Sequence, residues 1–258
     1  MQWVAIGLVA TVASALTLFS GFGLGTLLLP AFAFFFPLEL AVGMTAVVHV
    51  GNNLFKLILL GRRADAGVLL AFGVPAVLAA LAGARLLALL AGFPPLFTYA
   101  CLGREHAVDA VKLCLAGLMA VFAVLEIHPT LARLSFPQRF LPLGGLLSGF
   151  FGGLSGHQGA LRSAFLLRAG LSKEAFLGTG VAIACLVDVS RLALYFREMP
   201  AVWSSQHRPL LIFAMGAAWA GAALGNRMLG KVTLRKVQLT VAALLLLTAA
   251  LLGAGLIS

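Results

Sequence analysis

Residues 1–37 read MQWVAIGLVATVASALTLFSGFGLGTLLLPAFAFFFP, a run without a single charged side chain. As one straight helix rising about 1.5 Å per residue it would extend about 55 Å, whereas the hydrocarbon core of a bilayer is about 30 Å thick. The run must therefore fold back, tilt strongly or protrude. Its breaking point is Ser20-Gly21-Phe22-Gly23-Leu24-Gly25, because closely spaced glycines leave helical geometry at little cost and let other backbone approach. A helical hairpin whose turn lies inside the membrane is the expected outcome.

The rest of the chain continues in the same vein. Hydrophobic residues make up 62% of it and charged residues 10%, against about 25% charged in an ordinary soluble domain, so water is not its main solvent. Apolar segments run from Trp3 to Phe36, Leu40 to Leu60, Ala66 to Leu90, Val111 to Leu125, Phe140 to Leu171, Ala175 to Phe196, Leu210 to Met228 and Val237 to Ile257. No cleavable signal peptide is expected, since the amino terminus lacks a basic region and its apolar stretch runs past any small-residue cleavage site. The net charge of +10 is carried by short loops, with no continuous basic patch or nucleic-acid motif. Cys101, Cys114 and Cys185 are scattered, so neither a disulfide framework nor a zinc site is indicated and they read as small packing residues.

A second long segment breaks like the first, at Gly152-Gly153-Leu154-Ser155-Gly156-His157-Gln158-Gly159. The two regions belong to a duplication: Glu39, Gly43, Asn53, Lys56 and Arg62 recur 135 positions later as Glu174, Gly178, Asp188, Arg191 and Arg197. Past an insertion near Ser204 to His207, Gly83-Ala84-Arg85 answers to Gly225-Asn226-Arg227 at an offset of 142. The expected fold is an all-α integral membrane protein of about eight hydrophobic segments. Its two halves, residues 1–130 and 131–258, form one transmembrane domain. If each half is a hairpin plus three full spans, the odd span count turns the halves upside down relative to each other, the inverted repeat of many transporters. Arg62, Arg63, Arg133, Arg139, Arg168, Lys173, Lys231, Arg235 and Lys236 then share one side against Arg104, Arg197 and Arg208 on the other, and the richer side should be cytoplasmic.

These motifs resemble those of the TauE/SafE family of sulfite exporters. The resemblance rests on Ser20 to Gly25, Pro30 and Glu39-Leu-Ala-Val-Gly-Met-Thr45, with their partners Gly149 to Gly159 and Lys173-Glu-Ala-Phe-Leu-Gly-Thr179, and it covers nearly the whole chain. It implies a permease for sulfite, sulfonates and related sulfur-containing or organic anions, usually in export, with no cofactor. The chain departs from the family pattern at Leu24, inside the first glycine cluster, and at His157 and Gln158, where Gly and Pro are commoner. Those departures bear on substrate identity.

Read from the residues alone, a helix broken in mid-membrane exposes N–H groups at the start of its second half and adds the positive end of the helix dipole. The candidate starts are Gly25-Thr26, after Gly23, and Gly159-Ala160, with Arg162 a turn further on. The alternative is that these glycines only permit close helix packing. His49, Asn52, Asn53 and Lys56 fall on one helical face at spacings of three, four and seven. A Lys there should face a protein interior or cavity, because exposing it to lipid at mid-helix costs about 2.5–3.5 kcal/mol. Asp188 and Arg191 form either a local ion pair of structural role or part of a binding site. His157 and Gln158 complete the candidate substrate-binding set, His157 either as a donor or as a cap on the broken helix. Arg85 and Arg227 are expected to snorkel. The cations Lys56, Arg162 and Arg191 outnumber Asp188 and Glu126 inside the spans, so the interior favours an anion.

The expected partners are a small anionic substrate, the lipid bilayer and, as an open option, further copies of the chain. Nucleic acid, a metal and a cofactor are not expected. The expected location is the bacterial cytoplasmic membrane. Import coupled to protons or another ion is the alternative mode. A membrane-embedded enzyme is disfavoured by the lack of metal spacing, nucleophile elbow or paired carboxylates, and a cation transporter by the scarcity of acids. A scaffold would be recognised by the absence of solute flux.

Overall fold

The computed structural model describes residues 1–20, 24–101, 103–128, 135–228 and 234–257. Gly23, Arg133 and Lys231 lie outside them, as do the side chains of Arg104, Glu126, Arg227, Arg235 and Lys236. The described chain is helical but for one β-hairpin. Its elements are α1 (Gln2–Ser20), α2 (Gly25–Ala33), α3 (Leu38–Leu60), α4 (Ala66–Ala91), β1 (Phe97–Cys101), β2 (Arg104–Val108) and α5 (Ala110–Ile127), then α6 (Leu141–Ser155), α7 (Gly159–Leu166), α8 (Lys173–Glu198), α9 (Arg208–Met228) and α10 (Leu234–Gly253).

Local chemistry sets the helix ends. Asp65 caps α4 by accepting from the Val68 N–H at 2.8 Å, Asp109 caps α5 through the Lys112 N–H at 2.8 Å, and Ser172 caps α8 through the Ala175 N–H at 3.2 Å. Gly156 ends α6 in the left-handed conformation, φ 82°, that costs a glycine nothing. Four helices, α3 with its last turn, α4, α8 and most of α9, are long and apolar enough to cross a membrane. Their outward faces carry large apolar side chains such as Leu70, Val74 and Leu78 on α4 and Leu186 and Val189 on α8, as a lipid-facing surface requires.

Two helix pairs approach unusually closely, and glycine is the reason. Gly145, Gly149 and Gly153 on α6 sit against the carbonyl oxygens of Phe72, Ala76 and Ala80 on α4, where a Cβ would collide with backbone. Gly221 and Gly225 on α9 meet the backbone of Thr11 and Ala15 on α1 in the same way. Small residues let backbones touch where lipid supplies no hydrophobic drive for association. The pairs α5 with α10, α4 with α8 and α3 with α8 complete the main contacts. One apolar core gathers residues of α1, α2, α3, α5, α9 and α10, and a smaller one lies among α4, α6, α7 and α8.

The hairpin is an element the sequence reading left as loop. Its strands pair antiparallel from Phe97 opposite Val108 to Cys101 opposite Arg104. It docks on the end of α10, where the Tyr99 hydroxyl donates to the Ala254 carbonyl and His106 Nδ1 lies 3.3 Å from the Gly255 oxygen.

Candidate functional site

Helices α3 and α8 cross with their polar stripes facing each other. His49, Asn52, Asn53 and Lys56 on α3 are all buried, and so are Asp188 and Arg191 on α8, each with 0% of its surface exposed. The helical spacing read from the sequence thus delivers both stripes to one interior.

Asp188 is the centre. Its carboxylate accepts from Asn53 Nδ2 at 2.8 Å, Gln158 Nε2 at 3.1 Å and Arg191 Nε at 3.0 Å. Arg191 Nη2 stands 2.9 Å away and His49 Nδ1 2.6 Å away. An ionised carboxylate only accepts, so His49 carries its proton on Nδ1. The 3.4 Å approach of Asn53 Nδ2 to that same nitrogen is therefore a contact between two donors and not a hydrogen bond. One carboxylate ties together α3, α8 and the start of α7. Asp188 and Arg191 form the local ion pair that the sequence left as one of two readings.

Around this hub several polar atoms are buried without a partner. They include Arg191 Nη1, Arg162 Nη1, Asn52 Nδ2, Thr45 Oγ1, His157 Nε2 and Gln158 Oε1. Unsatisfied buried groups cost about 1–3 kcal/mol each, more when charged, so a cluster of them calls for an explanation. Asn52 spends its carbonyl on the Ser14 hydroxyl of α1 at 3.0 Å, which leaves its amide N–H groups over. Lys56, 6% exposed, makes no ion pair among the described residues.

The two helix breaks meet at this place. Gly25, the first residue of α2, is buried, and a Cβ there would lie 3.6 Å from the Gly156 oxygen and 3.5 Å from Thr45 Cγ2. Arg191 Nη1 would lie 3.0 Å from a Cβ at Gly156. Helices α2 and α7 start at Gly25 and Gly159, as the sequence indicated. Thr26 is buried one residue into α2.

His157 occupies the flank of the break. Its ring stacks on Phe122 of α5 with centroids 5.6 Å apart, and Nδ1 lies 3.1 Å from Ser155 Oγ. The Ser155 hydroxyl already donates to the Phe151 carbonyl at 3.0 Å, so it accepts from His157 Nδ1. In the neutral ring Nε2 is then a bare acceptor. His157 makes no side-chain cap on α7; the residue before the helix is Gln158.

Residues that sequence reasoning passed over also build the site. The Tyr195 hydroxyl donates to the Gly153 carbonyl, fixing α8 to the last turn of α6. Ser148 donates to the Gln158 carbonyl at 3.0 Å and braces the break from within α6. Tyr195 lies four residues after Arg191 on the same face of α8, a signal that was available. Ser148 carried none. Among the described residues no group of three His, Cys, Asp or Glu could hold a metal ion.

The family profile described as Sulfite exporter TauE/SafE matches residues 6–252 of the chain, nearly its whole length. The chain belongs to that family. No curated protein and no solved structure gives a significant match. Membership in the TauE/SafE family, taken with the four long apolar helices, makes this chain a multi-pass membrane transporter.

Proposed function

We propose that this TauE/SafE chain exports a small sulfur-containing or organic anion, such as sulfite or a sulfonate, across the bacterial cytoplasmic membrane, through an interior chamber where the two helix breaks meet. The observation that carries this reading is the set of buried donors with no acceptor among the described residues, Arg191 Nη1, Arg162 Nη1 and Asn52 Nδ2, together with the buried Lys56, which makes no ion pair among them. An oxyanion supplies the acceptors such donors need, through charge-assisted hydrogen bonds.

The transport cycle rests on two related halves, residues 1–130 and 131–258, of opposite orientation and eight segments in all. Several contacts support that arrangement. The α1–α9 pair corresponds to the α6–α4 pair, and α3 with α8 and α5 with α10 are pairs of equivalent helices. Gly43 packs on Val202 in the short turn Pro200–Trp203, while Gly178, its repeat partner, packs on the turn at Leu60 to Ala64. Asn53 touches Asp188, its own equivalent, as residues beside a two-fold axis do.

Direction follows from the field. With the cytoplasm negative, an expelled anion gains about 2.3 kcal/mol per charge per 100 mV, which drives export without a coupled ion. Asp188 is saturated with donors and offers no easy proton site for coupling. The deciding experiment measures sulfite and sulfonate flux from proteoliposomes under an imposed potential. Efflux should rise as the inside is made more negative, and flux indifferent to the potential would contradict the uncoupled exporter.

A further inference from the structure

A serine or threonine hydroxyl on an apolar helix can turn back on its own backbone and donate to the carbonyl four residues earlier. Thr11 does so to Gly7, Ser155 to Phe151, Ser190 to Leu186 and Thr248 to Leu244, at 2.6–3.0 Å. Thr45 on α3 does not. Its side chain is 2% exposed, yet Oγ1 has no hydrogen-bond partner among the described residues, neither the Ala41 carbonyl nor any other group. The hydroxyl has given up water and received nothing in return. It lies one turn before His49 on the same face of α3, so it extends the polar stripe toward α2. Its Cγ2 stands 3.5 Å from where a Gly25 Cβ would be, at the first residue of α2, and that same point is 3.6 Å from the Gly156 oxygen. These are ordinary van der Waals distances, so room for a small group is left beside Gly25. Beyond Gly156, a Cβ would lie 3.0 Å from Arg191 Nη1, a second buried donor with no acceptor.

Thr45, Gly25, Gly156 and Arg191 therefore make a continuous run of contacts across the meeting of the two breaks, with an unused hydroxyl at one end and an unused N–H at the other. The positive end of the α2 dipole falls at the same place. We infer that Thr45 is a further cargo-binding residue, its hydroxyl donating to one oxygen of the transported anion at the start of α2 while Arg191 Nη1 takes another from the side of α8. The inference rests on the anion-transport reading above and adds the residue of α3 that meets the cargo and the place where it does so. A hydroxyl contributes a directed hydrogen bond without contributing charge. Its removal weakens the hold on the cargo and leaves the charge balance of the interior untouched.

Thr45→Val keeps the shape and removes only the hydroxyl, and Thr45→Ser keeps the hydroxyl. The test measures the half-saturating concentration for flux of radiolabelled sulfite and methanesulfonate in proteoliposomes holding the whole chain, beside thermal melts in mixed micelles. Thr45→Val is expected to raise half-saturation about tenfold, the equivalent of one hydrogen bond to a charged group. Thr45→Ser should stay within about threefold of the unaltered protein. Thr248→Val, which removes a hydroxyl already spent on Leu244, should not change it. The melting temperature of Thr45→Val should match or exceed that of the unaltered protein, because its hydroxyl has no partner to lose. Unchanged half-saturation in Thr45→Val, or equal impairment of Thr45→Ser, overturns the inference and leaves anion transport standing. A clear fall in the melting temperature of Thr45→Val overturns it as well, by showing the hydroxyl spent inside the protein. Absence of flux of both anions through the unaltered protein overturns the transport reading and this inference together.

Discussion

Helices α3 and α8 cross with their polar stripes face to face, yet they carry opposite electrical designs. On α8 the acid and the cation stand three residues apart and satisfy each other, so Asp188 and Arg191 together contribute no net charge. Facing them on α3 stand Asn53, an amide that donates to Asp188, and Lys56, a cation with no ion pair among the described residues. On the proposed function one stripe is a brace and the other a receptor. The breaks differ in parallel: nearly all of α2 is buried, whereas α7 buries little beyond Gly159, Phe165 and Leu166. On the proposed two-half arrangement, symmetric contacts serve assembly while a few buried positions make one half hold and the other bind.

The largest effect should come from striking the brace. Asp188→Ala leaves Arg191 buried without a counterion and strips the acceptor from His49, Asn53 and Gln158, a change expected to cost about 3–5 kcal/mol in unfolding measured in mixed micelles. Lys56→Ala, by contrast, should leave stability unchanged or slightly higher, because it removes a buried charge that no described residue pairs with. Equal destabilisation by both variants would break the distinction between brace and receptor. In flux the order reverses in kind: Lys56→Ala should lower transport by about ten- to a hundredfold, the equivalent of one charged hydrogen bond of about 1.5–3 kcal/mol, with the protein still folded. Arg191→Ala should lower flux too, but together with the yield of folded protein.

The glycine ladders sharpen the assembly side of the comparison. Gly149→Ala forces a Cβ onto the Ala76 backbone and should cost about 1–3 kcal/mol by overpacking. Gly216→Ala, with nothing within 4 Å of its Cβ position, should fall within about 0.5 kcal/mol of the unaltered protein. Thermal melts of the two variants side by side check this. A modest effect belongs to the hairpin between α4 and α5. Tyr99→Phe removes the hydroxyl that reaches Ala254 and should cost about 1 kcal/mol, visible as earlier hydrogen exchange at the end of α10.

Much of this was legible along the chain. The two glycine-rich breaks, the helix starts at Gly25 and Gly159 and the polar stripe on α3 follow from run length, spacing and the thickness of a bilayer. Other features stayed open because glycine says that backbone is free or close without saying which. Within Gly149 to Gly159, Gly149 and Gly153 pack against α4, and Gly156 alone takes the left-handed turn. Arg85 was expected to snorkel, yet its Nη1 stands 2.7 Å from Glu198 Oε1 at the end of α8, a pairing invisible without the approach of α4 to α8. The hairpin escaped because each strand has only five residues, too few for a strand pattern to stand out in the stretch between two apolar segments.

By itself the sequence determined that this chain lives in a membrane, where it must break, and that its interior carries more positive than negative charge. Those are properties of composition and periodicity, which neighbours in space cannot alter. Tertiary structure alone decided which buried charge is spent and which is left over. Asp188 might have answered to any of several cations; it pairs with Arg191 on its own helix, and only the crossing of α3 over α8, with Gln158 brought in at the break, adds Asn53 and His49 and leaves Lys56 without an ion pair among the described residues.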